Sequence, residues 1–442
     1  LKIIEGFRKA SAVLSRETVS ESFAVSPALR QSVKNLFGTE DPQEAVRQII
    51  GEVKKRGDKA LFDLALKIDG IKIGSLEVDK NEVVNAYRDL DEELVAALKL
   101  AAERIWGFHE AQKNVIWHEV SEKGLRQAIR PLRRVGVYVP GGTAAYPSTV
   151  LMTVIPARVA GVSEIIMVTP PRKSGGISPA TLVAADIAGV DRIFGIGGAQ
   201  AVAALAYGTE SIPAVDKVCG PGNIFVMLAK KQVFGAVAID ALQGPSDVLI
   251  IADEKSSPAY CAADLIAQAE HDPLAEAHLV TTSPPLADEV NRELERQLHG
   301  ISRQSIAGES LARGVIAVVN SLDEAIELAN LYAPEHLCLM IDNAGDYLDR
   351  ISNAGCIFIG REATVVLGDY VAGPSHALPT GGTARFSSPL NIVDFIKFMS
   401  VINTDKLDIK QLGRAASVMA RAEGLDAHAR AVEQRLRHLE LE

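Results

Sequence analysis

The sequence predicts an α/β fold with parallel sheets, and two observations carry that reading. From about residue 130 to 360 short apolar runs alternate with longer stretches of helical pattern, the order strand, helix, strand that a parallel sheet requires. The composition, 48% hydrophobic and 23% charged over 442 residues, is that of an ordinary globular chain, with length for about three domains at roughly 150 residues each.

The elements follow in order. "DPQEAVRQIIGEVKKRG" (41–57) predicts a helix with Asp41 as N-cap, Pro42 in the first position and an apolar stripe at Val46, Ile49, Ile50 and Val53. A second long helix is expected over 93–111. The rhythm then changes: "GVYVP" (136–140), "EIIMVTP" (164–170) and "RIFGI" (192–196) read as strands, separated by the helices "STVLMTVIPARVAGV" and "SPATLVAADIAGV". After "GPSDVLIIADE" (244–254) a second series begins, with "HLVTTS", "GVIAVVN", "HLCLMI" and "GCIFIG" as strands and helices such as "PLADEVNRELERQLHG" and "SLDEAIELANLYAP" between them. Beyond about residue 387 the pattern reads as helical to the end, an arm that packs on its own domain or on a second copy.

A formal charge of −10 with scattered basic residues leaves no footprint for phosphate backbones, so nucleic acid is not an expected partner. The four cysteines form no C-x-x-C pair and are expected to be reduced and structural, in the cytoplasm. No apolar stretch approaches the ~18 residues of a membrane span, and the N-terminal residues carry too much charge for a secretory segment, so neither insertion nor export is expected.

Four turns rich in glycine or proline follow strand ends: "VPGGTAAYPST" (139–149), "GIGGAQA" (195–201), "CGPGNIF" (219–225) and "QGPSD" (243–247). In open α/β sheets ligands gather at such ends, where backbone N–H groups meet helix N-termini. The dinucleotide fingerprint fails in detail, because Gln200 and Phe225 stand where its third glycine belongs, so spacing alone does not give a nicotinamide cofactor.

Nine histidines are present. His271, His336, His376 and His428 stand apart from the other five: His336 lies at a helix-to-strand junction and His376 in a turn-rich loop, where a scaffold commonly presents reactive groups. In "DLIAQAEHDP" (264–273), Gln268 and His271 are three apart and share a helix face. That is either a hydrogen-bonded pair or half of a metal site, which Asp369 and His428 could complete. The adjacent Glu335 and His336 read equally as an acid–base pair or as a polar helix cap.

Taken together, "GVYVPGGTAAYPSTVLM", "GIGGAQAVAALAYGT", "DKVCGPGN", "GPSDVLIIAD", "DLIAQAEHDP", "YAPEHL", "GDYVAGPSHALPTGGTARFSS" and "EGLDAHARAV", in this order over about residues 135–433, resemble the histidinol dehydrogenase family. The resemblance implies two incomplete Rossmann-like parallel-sheet domains, one from 30–137 and 247–386 and one over 138–246. An N-terminal helical segment (1–29) and a dimer-forming C-terminal helical arm (387–442) flank them. It implies oxidation of L-histidinol through the aldehyde to L-histidine with zinc and NAD, the last steps of histidine biosynthesis, in a cytoplasmic homodimer with shared sites.

Matched residue by residue, the zinc ligands are Gln268, His271, Asp369 and His428, the last from the other subunit. The NAD contacts are Tyr138, Gln200 and Asn223. The substrate contacts are Ser246, His376 and Glu423 together with His336 and the metal ligands. His336 is the general base and Glu335 activates the water that hydrates the aldehyde. The alternatives are a sister dehydrogenase acting on another small alcohol, such as a sulfonated diol, or a silent binding protein that keeps the cleft.

Overall fold

The computed structural model describes residues 1–16, 26–118, 121–122, 124–141 and 145–441, and the chain divides into two units: residues 1–113 with 132–395, and residues 114–131 with 396–442. The strands are β1 (Lys2–Glu5), β2 (Ser121–Glu122), β3 (Leu125–Pro131), β4 (Arg134–Tyr138), β5 (Glu164–Val168), β6 (Arg192–Phe194), β7 (Lys217–Cys219) and β8 (Ala238–Ile239), then β9 (Asp247–Ala252), β10 (Glu276–Thr281), β11 (Val315–Val318), β12 (His336–Met340), β13 (Cys356–Ile359) and β14 (Ile396–Ile402).

In the larger unit β6-β5-β4-β7-β8 form a five-stranded sheet and β1-β11-β10-β9-β12-β13 a six-stranded one, with every pairing parallel. The N-terminal helix Pro42–Arg56 forms as its cap and stripe predict, with Asp41 accepting from the Gln43 N–H. Its Val46, Ile49 and Val53 join Val202, Leu205 and Val226 in the core of the five-stranded sheet.

The central strands of the other sheet are buried on both faces. Val248, Ile250 and Ala252 pack into one core and Leu249 and Ile251 into the opposite one, the period-2 alternation of a strand with helices on each side. Each crossover helix starts at the carboxyl end of one strand and finishes at the amino end of the next. The last turns of helix Pro258–Ala269, after β9, and helix Leu322–Tyr332, before β12, therefore arrive at the amino ends of the sheet.

The smaller unit has the antiparallel order β14-β3-β2 and two helices, Lys406–Ala422 and Asp426–Leu441. The helices approach closely at Gly413, where a Cβ would meet Leu436 at 3.1 Å, and Ser417 donates to Glu433. Here the helical reading of everything after residue 387 needs correction: Ile396–Ile402 is a strand. Its β-branched and aromatic residues suit a strand, and its partner β3 lies some 270 residues earlier, beyond the reach of any local pattern. The cysteines are free, with Cys219, Cys261 and Cys338 buried. Among the described residues no helix is long and apolar enough to cross a membrane.

Candidate active site

Three glycine-rich loops meet at the carboxyl end of the five-stranded sheet. Tyr138 ends β4, and its hydroxyl oxygen accepts from the Gly198 N–H at 3.1 Å. Gly220 has φ +110°, and a Cβ there would stand 2.1 Å from the Tyr138 carbonyl oxygen, so only glycine lets this loop pass so close to β4. Asn223 caps helix Ile224–Val233, its side-chain oxygen accepting from the Phe225 and Val226 N–H groups. Gln200, in the first turn of helix Gly198–Tyr207, is 1% exposed, and neither end of its amide has a partner. A buried amide left in that state costs about 1–3 kcal/mol, and its free donor and acceptor suit a polar ligand. Of the "VPGGTAAYPST" turn, residues 142–144 lie outside the described residues.

The second cluster sits at the amino ends of the six-stranded sheet. His336 opens β12 and Asp247 opens the neighbouring β9. Asp247 donates its N–H to Glu335 Oε2 at 2.9 Å, and its Oδ1 accepts the Glu335 N–H at 2.7 Å. His336 Nδ1 lies 3.2 Å from the Asp247 carbonyl, which fixes it as the donor nitrogen and leaves Nε2, 3.4 Å from Asp369 Oδ1, as the nitrogen that can gain or lose a proton. Asp369 lies on helix Val365–Tyr370, and its carbonyl binds His376 Nδ1 at 2.7 Å. The other His376 nitrogen faces Thr149 Oγ1 at 3.3 Å, and Gly381 N–H reaches Asp247 Oδ2 at 3.4 Å. Thr149 belongs to the helix that leaves β4, so the 376–381 loop joins the two sheet ends.

Burial sets the electrostatics. It pushes the Glu335 carboxyl up to about 8, against the pull of His336. Burial works against charge on His336 as well, yet the carboxylates of Glu335, Asp369 and Asp247 outweigh it and raise the imidazole to about 9. Asp369 is held below the usual carboxylate range: burial alone would raise it, but His336, His376 and His271 surround it. His271 and His376 are both lowered, chiefly by desolvation, and so favour the neutral imidazole that ligates a metal.

Gln268, in the last turn of helix Pro258–Ala269, is 1% exposed and its amide nitrogen has no partner. Asp264, one turn earlier and buried, accepts from Thr364 Oγ1 at 2.6 Å, which ties this helix to the one that carries Asp369. Among the described residues no three His, Cys, Asp or Glu side chains stand together in metal-holding geometry. The expected set has only two such groups in this unit, His271 and Asp369, with Gln268 as an amide donor. A neutral imidazole, an ionised carboxylate and an unpartnered buried amide are donors that fit zinc as a partial set.

Most of the predicted residues therefore converge: Tyr138, Gln200 and Asn223 on one sheet end, and Ser246, Gln268, His271, Glu335, His336, Asp369 and His376 around the other. Glu423 and His428 belong to the smaller unit, where both are exposed, the first closing helix Lys406–Ala422 and the second on helix Asp426–Leu441. Sequence reasoning missed Asp247, Thr149 and Asp264. The visible signal for Asp247 was a lone carboxylate opening the otherwise apolar run "DVLIIA".

A glycine-rich binding end and a buried acid–base pair, joined by one loop, define an α/β enzyme. The chain belongs to the histidinol dehydrogenase family and is an oxidoreductase: the family model for histidinol dehydrogenase matches residues 34–436. It is 55% identical to a histidinol dehydrogenase of Dehalococcoides mccartyi over 437 residues, 99% of this chain and 100% of that protein. It is 50% identical to one of Halalkalibacterium halodurans over 402 residues, 90% of this chain and 95% of that protein. The crystal structure of histidinol dehydrogenase from Elizabethkingia anophelis superposes with a TM-score of 0.91 at 35% identity, covering 100% of this chain and 99% of that one.

Proposed function

We propose that the chain oxidises L-histidinol through L-histidinaldehyde to L-histidine, the last steps of histidine biosynthesis, with NAD accepting a hydride in each of two oxidations. The observation that carries this reading is the Glu335–His336 pair, buried and locked to Asp247, in a chain that matches histidinol dehydrogenases over nearly its whole length. Zinc bound by Gln268, His271 and Asp369 would orient the imidazole and amino nitrogens of the substrate. His428 is proposed to complete that set from a second copy, and Glu423 to reach the substrate from the same copy.

His336 Nε2, acting as the neutral imidazole and so most readily on the alkaline side of its raised value of about 9, takes the hydroxyl proton as the carbinol hydride leaves. Glu335, as the carboxylate, takes a proton from the water that adds to the aldehyde carbon while His336 returns its proton to the aldehyde oxygen, giving the hydrate, and His336, neutral again, deprotonates the hydrate for the second hydride transfer. Holding the aldehyde between steps protects it from side reactions. His376 and Ser246 line the substrate end, while Tyr138, Gln200 and Asn223 serve the nicotinamide cofactor.

Zinc-replete protein with histidinol and NAD should form NADH and histidine in a ratio of about two to one, one hydride per oxidation. NADH from other small alcohols with none from histidinol would assign the chain to a sister activity. No NADH from any alcohol would leave a binding protein. For the shared site, His428→Ala chains mixed with chains carrying Gln268→Ala and His271→Ala should regain activity, and absence of complementation would place the site within one copy.

A further inference from the structure

Behind the Glu335–His336 pair lies an ion network that the proposed reaction does not use. Arg16, two residues past helix Phe7–Leu14, reaches Asp247 Oδ2 at 2.9 Å and Glu276 Oε2 at 2.8 Å. Its guanidinium carbon lies 3.7 Å from the centre of the Tyr332 ring and it also binds the Tyr332 hydroxyl, which in turn donates to Glu276 at 2.7 Å. Tyr332 ends its helix three residues before Glu335, and Ala333 between them has φ +51°, a left-handed conformation unusual for alanine.

Asp247 is the hinge of this network. One carboxylate oxygen holds the Glu335 N–H, the other takes Arg16 and the Gly381 N–H, and its own peptide groups hold Glu335 Oε2 and His336 Nδ1. At 1% exposure this carboxylate has little access to water, and Arg16 is the cation that partners its Oδ2. Without Arg16 the Oδ2 side loses its cationic partner, and a carboxylate that turns to find another donor releases the Glu335 N–H from Oδ1.

We propose that Arg16 is a positioning residue: through Asp247 and Tyr332 it fixes the backbone that presents Glu335 and His336, and so governs turnover rather than binding. The inference rests on the acid–base roles proposed above. Gln268, Asp369 and Gln200 lie on segments that Arg16 does not touch, and only Ser246, beside Asp247, and the 376–381 loop connect it to substrate contacts, so its loss falls mainly on kcat and only in small part on KM.

The test uses the full-length, zinc-loaded protein with Arg16→Met and Arg16→Lys, measuring kcat and KM for histidinol and for histidinaldehyde, thermal stability, and turnover with added guanidinium ion. A misplacement of this kind costs about 10²-fold in kcat, with KM held within about threefold, in Arg16→Met. Guanidinium should restore kcat saturably. Arg16→Lys should fall between, because an ammonium can pair with the carboxylates but cannot reproduce the planar guanidinium lying on the Tyr332 ring.

Unchanged kcat in folded Arg16→Met, a loss confined to KM, or a loss that guanidinium does not relieve would overturn the proposal. Should Arg16→Met fail to fold, Arg16→Lys decides, with wild-type kcat as the overturning result. Wild-type protein that does not turn over histidinol removes the parent reading, an outcome distinct from a defect confined to the variants.

Discussion

The two parallel sheets of the larger unit use opposite ends. The five-stranded sheet leaves its carboxyl end open, with helices Pro147–Ala160, Gly198–Tyr207 and Ile224–Val233 starting there. In the six-stranded sheet the same position is filled: Arg361 binds Asp253 at 2.7 Å and also Asp342, which Lys255 reaches at 2.5 Å. Its candidate catalytic groups stand instead at the amino ends of β9 and β12. Helix N-termini carry partial positive charge and suit anions such as a pyrophosphate, whereas C-termini carry partial negative charge and suit cations and imidazolium. On the function proposed above, two such ends joined by the 376–381 loop would offer one wall to an anionic cofactor and the other to a metal and a proton carrier.

The comparison is broken most severely at the acid–base pair. His336→Asn should slow both oxidations by about 10²- to 10⁴-fold, while Glu335→Gln should slow the aldehyde step more than the alcohol step. Equal effects in single-turnover experiments would show that the two roles are not divided.

Asp264 sharpens the amino-end side through pH. Burial, opposed by the Thr364 hydrogen bond, pushes its carboxyl up to about 6. A raised acid binds its proton more tightly in the folded state, so its contribution to stability is present below the unfolded value of about 3.9 and lost as pH rises through 6. Asp264→Asn should therefore raise stability at pH 7 to 8 by about 1–3 kcal/mol and flatten this part of the profile in denaturant titrations. A variant no more stable than wild type at pH 8 would contradict it.

At the carboxyl end, Gln200→Met replaces an unpartnered amide with an apolar side chain of similar length. Melting should show a gain of about 1 kcal/mol, accompanied by a higher KM for NAD. A gain in stability with an unchanged KM would remove Gln200 from the cofactor site. The smallest effect is expected at Arg361→Met, which opens the filled carboxyl end: a slightly lower melting temperature and an unaltered kcat. A large loss of activity there would mean that both ends of the six-stranded sheet take part.

Much of this was legible before the fold was seen. The apolar runs from "GVYVP" to "GCIFIG" lie on observed strands, because central parallel strands are buried on both faces and announce themselves without outside context. Helix Pro258–Ala269 places Gln268 in its last turn, but it ends before His271, so the two do not share a helix face as their spacing suggested. The edge strand Lys2–Glu5 and the strand Ile396–Ile402 were not legible, since each is defined by a distant partner. The grip on the acid–base pair was hidden for the same reason: Arg16, Asp247, Tyr332 and Glu335 are brought together by topology, and no spacing rule connects them.

Because Glu335 and His336 are held by the opening residues of two fully buried central strands, the pair inherits the rigidity of the core. Amide protons of Asp247 and Glu335 should exchange with solvent only through large-scale opening, among the slowest in the chain, whereas those of the glycine loops should exchange through local fluctuation. In the proposed reaction the two groups would act as a fixed anvil, and whatever adjusts from one hydride transfer to the next would be the substrate or the loops above it.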